Sequence, residues 1–331
     1  MKLNGEIIIL SGPRKVAFKK VTIDTDKIGH REIVAKTVFS AISPGTETAA
    51  YVGKPALRPG KIYPRLVGYC NVAKVIKTGK NVKSINAGDL ILTGEPHRSV
   101  FAISEENIFA KIPKIVAPQH AALTYLYTLG VNSLKALNLE TKFTVAIIGL
   151  GVLGLGTVEQ AKNLKLKVLA FSDSQYKLNL AKKLGAEKVF LKHKSKKLEK
   201  VADLVINTSN SWEDWGLALR LAKYNGIISV LGFPGREIGL PNFNPLEPKY
   251  FYDKKIAIIP SGLPRELKNE KEISRAIKNN CKTVLNLIAQ KKLIPKNLIS
   301  GIYHYKYIEK AYKKLLKKDR ESITYILKWP V

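Results

Sequence analysis

Cysteine is nearly absent from this chain of 331 residues, with only Cys70 and Cys281 present. Two cysteines exclude a disulfide framework and any four-cysteine zinc site. Long apolar runs are missing too. The longest, Val145 to Val158, has 14 residues, four of them glycine, which is too short and too glycine-rich for a membrane span. The opening Met1-Lys2-Leu3-Asn4-Gly5-Glu6 puts an acid before the brief Ile7–Leu10 run, unlike a secretory leader, so the expected setting is cytoplasmic. Acids are scarce: 26 Asp+Glu against 56 Lys+Arg leave a net charge of +30. Arginine is scarce as well, at ten of those 56. Nucleic-acid sites favour arginine interleaved with aromatics, whereas lysine pairs scattered along the chain, such as Lys182-Lys183 and Lys313-Lys314, mostly solvate a surface.

What is present describes a packed protein of about two domains. Apolar residues at 45% and charged residues at 25% exclude wholesale disorder. The first third reads as strands and turns: Glu6–Leu10, Lys15–Val21, Glu32–Ala41, Leu66–Thr78 and Asp89–Thr93, with no long helix between them. From about Pro118 the texture changes. A helix is expected over Gln119–Leu137, then strands and helices alternate: Phe143–Ile148, Gly151–Asn163, Lys167–Phe171, Tyr176–Leu184, Lys188–Leu191, Leu204–Asn207, Trp212–Ala222 and Ile227–Leu231. Such alternation predicts right-handed βαβ units and a doubly wound parallel sheet, an α/β architecture. The chain ends with helices over Glu272–Gln290 and Ile308–Leu316 and a strand over Ile323–Lys328. These changes of texture put domain breaks near 117/118 and 265/266.

The sharpest local signal is the apolar run Thr144–Ile148 followed by Gly149-Leu150-Gly151-Val152-Leu153-Gly154. Strand, G-x-G-x-x-G turn and helix are the context in which this pattern binds a dinucleotide. Gly149 permits the tight turn, Gly151 lets a pyrophosphate approach the backbone, and Gly154 lets the helix pack on the strand. The helix start then offers N–H groups to the phosphates, with Val152 and Leu153 in the first turn. The next strand tip chooses the dinucleotide. If that strand ends at Phe171, Ser172 takes the recognition position and Ser174 and Lys177 face a 2′-phosphate, which favours NADP(H). A slip of one residue puts Asp173 there and favours NAD(H). The expectation is NADP(H) over NAD(H). Asn207-Thr208 and Leu231-Gly232 end later strands, where ligands of open α/β sheets lie.

Together these segments resemble the medium-chain dehydrogenase/reductase superfamily over nearly the whole chain. The resemblance rests on Leu66-Val67-Gly68-Tyr69, Lys80–Asp89, Pro118–Ala136, the glycine turn, Leu178–Ala186 and Ile227–Gly235. It implies that 1–117 and 266–331 form one discontinuous β-rich catalytic domain of GroES-like fold around a Rossmann domain over 118–265, with Asn207-Thr208 on the adenosine side and Leu231-Gly232 on the nicotinamide side. The segments Ile42-Ser43-Pro44-Gly45-Thr46-Glu47 and Tyr63–Tyr69 look like a branch without zinc, whose relatives include bacteriochlorophyllide dehydrogenase of the BchC type. Zinc members carry a cysteine where this chain has Ser43, a Gly-His-Glu where it has Gly68-Tyr69-Cys70, and a third ligand where Tyr125 falls. The resemblance therefore implies no metal. His97, His120 and His193 stand apart from one another and read as surface or satisfied polar residues.

Without zinc, another group must stabilise the oxyanion of a carbonyl and protonate it. Tyr69 and Tyr125 inherit positions that face the reacting ring, and Ser43, Thr46 and Glu47 are placed to bind or relay. The same tyrosines also read as core aromatics. The expected protein is a zinc-independent NAD(P)(H) oxidoreductase acting on the carbonyl or alcohol of a small-molecule substrate, anionic if the charge has a meaning. It is expected to work as a homodimer or tetramer, with no membrane or nucleic-acid partner. Two alternatives stay open: reduction of a conjugated C=C, and a basic nucleic-acid-binding or non-catalytic dinucleotide-sensing protein on an inherited scaffold.

Overall fold

The computed structural model describes residues 1–55, 62–135, 143–234, 239–261, 267, 269–317 and 321–330. Two compact units emerge: Met1–Tyr125 with Glu270–Lys318 and Ser322–Val331, and Leu126–Asn269 with Asp319–Glu321. The first break thus lies between Tyr125 and Leu126, some residues beyond the expected 117/118, while the expected 265/266 boundary lies outside the described residues.

The first unit opens with β1 (Lys2–Gly12) and β2 (Lys15–Asp24), an antiparallel hairpin in register from Lys2↔Asp24 to Leu10↔Val16. β3 (Glu32–Ala41) leads into α1 (Pro44–Val52). Pro44 pre-sets the first helical φ, Glu47 reaches back to the Ser43 backbone N–H at 2.7 Å, and Gly53 closes the helix at φ 91°. This helix is absent from the expected pattern because its small residues carry no 3.6-residue apolar stripe. The expected run Leu66–Thr78 divides into β4 (Arg65–Leu66) and β5 (Asn71–Thr78), interrupted where Gly68 takes φ 89°. There follow β6 (Leu90–Thr93), β7 (Val100–Ser104), β8 (Ile108–Lys111) and α2 (Pro118–Ala121).

The chain continues through α3 (Thr124–Leu134), β9 (Thr144–Ile148), α4 (Val152–Asn163), β10 (Lys167–Ser172) and α5 (Gln175–Leu184). Then come β11 (Lys188–Leu191), β12 (Ala202–Asn207), α6 (Trp212–Leu221), β13 (Ala222–Val230) and β14 (Ala257–Pro260). The helix expected over Gln119–Leu137 is two helices, α2 and α3, and Leu137 lies outside the described residues. The six strands run parallel in the order β11-β10-β9-β12-β13-β14. The order reverses between β9 and β12, so this sheet has the doubly wound topology whose ligands collect beyond the carboxyl ends at that switch. On one face Ala146, Ile148, Phe171, Val205 and Ile228 pack against Trp215, Leu219 and Leu221 of α6, and the alternate residues Val145, Ile147, Val168, Leu204 and Ile206 are buried as well.

The last segments are α7 (Glu270–Ala289), β15 (Ile299–His304), α8 (Ile308–Leu315) and β16 (Thr324–Lys328). β16 pairs with β3, so the chain's end completes a seven-stranded sheet ordered β15-β16-β3-β5-β6-β8, with β7 also on β3. Around it pack Ile8, Leu10, Tyr51, Tyr312 and Trp329, the last stacked on Tyr305 at 4.3 Å. Among the described residues no helix is long and apolar enough to cross a membrane.

Candidate functional site

In the parallel-sheet unit the glycine turn has the geometry its spacing predicts. Gly149 sits at φ 87°, and a Cβ there would lie 2.7 Å from Thr208 Oγ1. Gly154 admits no side chain at all, since its Cβ would fall 1.9 Å from the Gly149 carbonyl. Gly151, by contrast, faces open space and precedes α4, whose start has no side-chain cap. A close-packed turn with one open glycine before uncapped N–H groups is the shape a pyrophosphate needs. Val152 is buried and Leu153 half-buried beside it.

Strand β10 runs one residue further than expected, to Ser172, which pairs with Leu191 of β11 and is buried. Asp173 is therefore the first residue past the strand. Its carboxylate lies 2.6 Å from Lys192 Nζ, which also reaches both oxygens of Asp214 at 2.8 and 2.9 Å. These bonds to Asp173 and Asp214 raise the Lys192 ammonium pKa against the opposing effect of its burial. Ser174 caps α5 by accepting from the Lys177 N–H at 3.4 Å, and Ser172 accepts from the Ser174 N–H at 3.2 Å. A cavity of about 480 Å³ opens beside this tip, lined among others by Asp173, Lys192, Lys196, Arg220, Phe243 and Tyr250. Lys192 carries no sequence signal of its own, because its relation to Asp173 comes from the pairing of β10 with β11.

Thr208 is a brace for the turn: its hydroxyl donates to the carbonyls of Ile148 and Gly149 at 3.1 and 2.7 Å. Asn207 is buried and takes the backbone N–H groups of Leu231 and Gly232 on its carbonyl, at 2.8 and 2.9 Å. Gly232 is pressed on Thr208 and Ser209, whose backbone a Cβ would strike at 2.3–2.6 Å. These five residues, Asn207–Ser209 with Leu231 and Gly232, thus form one backbone-to-backbone layer at the carboxyl ends of β12 and β13.

In the β-rich unit the structure gathers Ser43, Thr46, Tyr69 and Tyr125. The Tyr69 phenol donates to Ser43 Oγ, with the Thr46 hydroxyl also in reach. Burial, with the nearby Cys70 and Glu47, pushes the Tyr69 pKa well above the ordinary tyrosine value despite those two hydroxyls. Tyr125 packs edge-on to Tyr69 at 5.6 Å and stacks on Phe109 at 5.4 Å; burial raises its phenol too. Glu47 stands one layer deeper. It is 2% exposed and accepts from the Ser43 N–H, from Tyr312 Oη at 2.7 Å, and from His97 Nε2 at 2.9 Å. His97, isolated in the sequence, is thus a fully satisfied buried residue, as expected of it, but attached to the candidate site. Burial raises Cys70 far above a reactive thiol and pushes Cys281 up to about 12, so neither is a nucleophile at neutral pH.

Residues 152–279 match the family described as zinc-binding dehydrogenase. An alcohol dehydrogenase of Geobacillus stearothermophilus is 25% identical over 269 residues, covering 70% of this chain and 78% of that one. Two solved structures superpose over nearly all of both chains. A short chain alcohol dehydrogenase of E. coli CFT073, complexed with NADH, gives a TM-score of 0.78 at 18% identity, covering 98% and 99%. A putative zinc-binding dehydrogenase of Sinorhizobium meliloti 1021, bound to NADP, gives 0.79 at 16%, covering 98% and 99%. Part of the chain thus resembles zinc-binding dehydrogenases in sequence, and both solved structures share its fold.

The likeness to zinc-binding dehydrogenases raises the question of zinc, and the donors answer it chemically. Zinc takes thiolate, imidazole or carboxylate ligands, about three from the protein in a catalytic site. At Ser43, Tyr69 and Tyr125 this dehydrogenase-like chain offers three hydroxyls. Glu47 and His97 are bonded to each other, and Cys70 is wholly buried. Among the described residues no group of three His, Cys, Asp or Glu is placed to hold a metal ion. The family match begins at residue 152, beyond all three of these positions. The residues present do not fit zinc.

Proposed function

We propose that this protein is a zinc-independent, nicotinamide-dependent oxidoreductase that interconverts a carbonyl and an alcohol. The observation that carries the proposal is the turn Gly149–Gly154, closed by Thr208 and open only at Gly151. Gly149, Gly151, Val152, Leu153 and Gly154 would hold the pyrophosphate, and the 480 Å³ cavity beside Asp173, within the range of small-molecule sites, would take the adenosine end. Bound there, nicotinamide supplies or accepts the hydride.

The chain's own contribution is the proton. Tyr69 is held neutral by burial, so at physiological pH its phenol is a donor. A substrate alkoxide is far more basic than a phenolate, so transfer from Tyr69 to the substrate oxygen is downhill even with the phenol pKa raised. Ser43 and Thr46 stand at the phenol oxygen and stabilise the negative charge it acquires, while Tyr125 packs against the Tyr69 ring. Glu47 does not touch this oxygen; its carboxylate holds the Ser43 backbone.

NADP(H) is the proposed dinucleotide ahead of NAD(H). The extra residue in β10 brings Asp173 to the strand tip, the register that by itself favours NAD(H); what supports a 2′-phosphate is the cations around it, Lys192 shared between Asp173 and Asp214, Lys196 and Arg220 lining the cavity, and Lys177 in the next helix. Adding NADPH or NADH to the protein and following nicotinamide fluorescence tests the first step. A panel containing an aldehyde, an aryl ketone, a 2-keto acid and a quinone, read at 340 nm, tests the second. Saturable enhancement with tighter NADPH, and oxidation of NADPH by one of the carbonyls, is the expected result. No enhancement with either nucleotide refutes the proposal.

A further inference from the structure

We propose that His97 is the positioning residue for the Tyr69–Ser43 pair, an assignment that rests on the function proposed above. Two arms leave this one imidazole. On one, Nε2 meets Glu47 Oε2 at 2.9 Å, and Glu47 Oε1 takes the Ser43 N–H at 2.7 Å; Ser43 Oγ in turn accepts the Tyr69 phenol. On the other, the His97 backbone N–H donates to the Val67 carbonyl at 2.8 Å, and the ring lies flat against Gly68, where a Cβ would stand 2.7 Å from it. Gly68 immediately precedes Tyr69. Both ends of a single O–H···O bond, the hydroxyl of Ser43 and the backbone carrying Tyr69, are therefore referenced to the same ring.

The ring itself is anchored from behind. Ser40 Oγ lies 2.8 Å from Nδ1, and Trp329 Nε1 donates to that same oxygen at 2.9 Å. With the proton assigned to Nε2, every group finds its partner: Trp329 N–H to Ser40, Ser40 O–H to Nδ1, and Nε2–H to Glu47. Glu47 then accepts three donors, from His97, Tyr312 and the Ser43 backbone. Residues 40, 47, 97, 312 and 329 come from five separate stretches of chain, all buried.

Filling this volume needs only an apolar side chain, and a buried polar network is costly wherever it is incomplete. What an apolar residue would not supply is a fixed distance between the phenol and the serine hydroxyl. Proton transfer demands that distance within hydrogen-bond reach, and a misplacement of about 1 Å costs roughly a hundredfold in rate. The imidazole is wide enough to meet Ser40 and Glu47 with its two nitrogens at once while its face packs on Gly68.

The test uses the full-length protein labelled with 3-fluorotyrosine, with the Tyr69 resonance assigned by its loss in Tyr69→Phe. In His97→Asn, whose side chain is too short to bridge Ser40 and Glu47, the Tyr69 resonance is expected to move while that of Tyr176, in the other unit, stays. On the panel carbonyl reduced by the wild type, kcat should fall at least tenfold, with the NADPH dissociation constant within twofold. His97→Gln, which can still donate to Glu47, should recover most of both. The double variant H97N/Y69F should be no slower than Y69F alone. A folded His97→Asn protein with Tyr69 at its wild-type shift, or rate losses that multiply in the double variant, overturns the assignment. If His97→Asn does not fold, Ser40→Ala carries the same two predictions, and an unmoved Tyr69 there overturns it equally. Absence of NADPH binding by the wild type refutes the proposed function instead, and leaves the coupling of His97 to Tyr69 to be read from the fluorine spectrum alone.

Discussion

At the residue scale, the candidate proton donor was legible in the sequence but its attachments were not. Tyr69 and Ser43 stand out because they replace metal ligands in the resemblance, and Thr46 and Glu47 share their motif. His97, Tyr312 and Lys192 offered no signal, since each meets its partner only through tertiary pairing; Glu47 and His97 are 50 residues apart. Removing the phenol with Tyr69→Phe should lower kcat about a hundredfold, the ordinary worth of a placed general acid, with nucleotide binding unchanged. The pH profile follows from the raised phenol. Reduction requires the protonated form, which persists below its pKa, so the rate should hold level through pH 10, above which an ordinary tyrosine would already be failing. A decline centred below pH 9 would show a different donor.

At the element scale, the glycine turn was legible because close approach leaves glycine as the one residue that fits. Sequence reasoning also found most of the strands and helices of the parallel sheet. It missed α1, whose signal is a proline start and an acid reaching back rather than an apolar stripe, and it joined β4 to β5 across Gly68. Both errors fall where the backbone departs from regular structure to build the hydroxyl cluster. Gly68→Ala should therefore destabilise the protein by about 1–3 kcal/mol, the cost of a strained φ, and move Tyr69 as well, since the new methyl strikes His97. Thermal melts with the fluorine spectrum check both. Gly154→Ala should abolish nucleotide binding while the β-rich unit keeps its tyrosine signals, because the clash is with the Gly149 carbonyl alone. Retained NADPH affinity in that variant would contradict the placement of the pyrophosphate.

At the scale of the whole molecule, the division into a β-rich unit and a doubly wound sheet follows from the change of periodicity near Pro118. The return of the chain's end into the first unit follows from β16 pairing with β3, which local pattern alone does not specify. The charge of +30 belongs to this scale too. If it steers substrate, turnover of a 2-keto acid should fall with ionic strength while turnover of a neutral ketone does not, because exposed charges are screened beyond about 10 Å at 0.1 M salt. Tyr69, Tyr127 and Tyr312 are all raised by burial, so folding favours their neutral forms. Their contribution to stability is complete below the unfolded tyrosine value near 10 and is lost as pH rises beyond it, so alkaline unfolding should begin there and release these phenols together. The proposed chemistry has hydroxyls doing what the metal does in a zinc-dependent dehydrogenase. Carbonyl reduction should be measured before and after exhaustive treatment with 1,10-phenanthroline and EDTA. An unchanged kcat is predicted; a loss of activity restored by added zinc would contradict it.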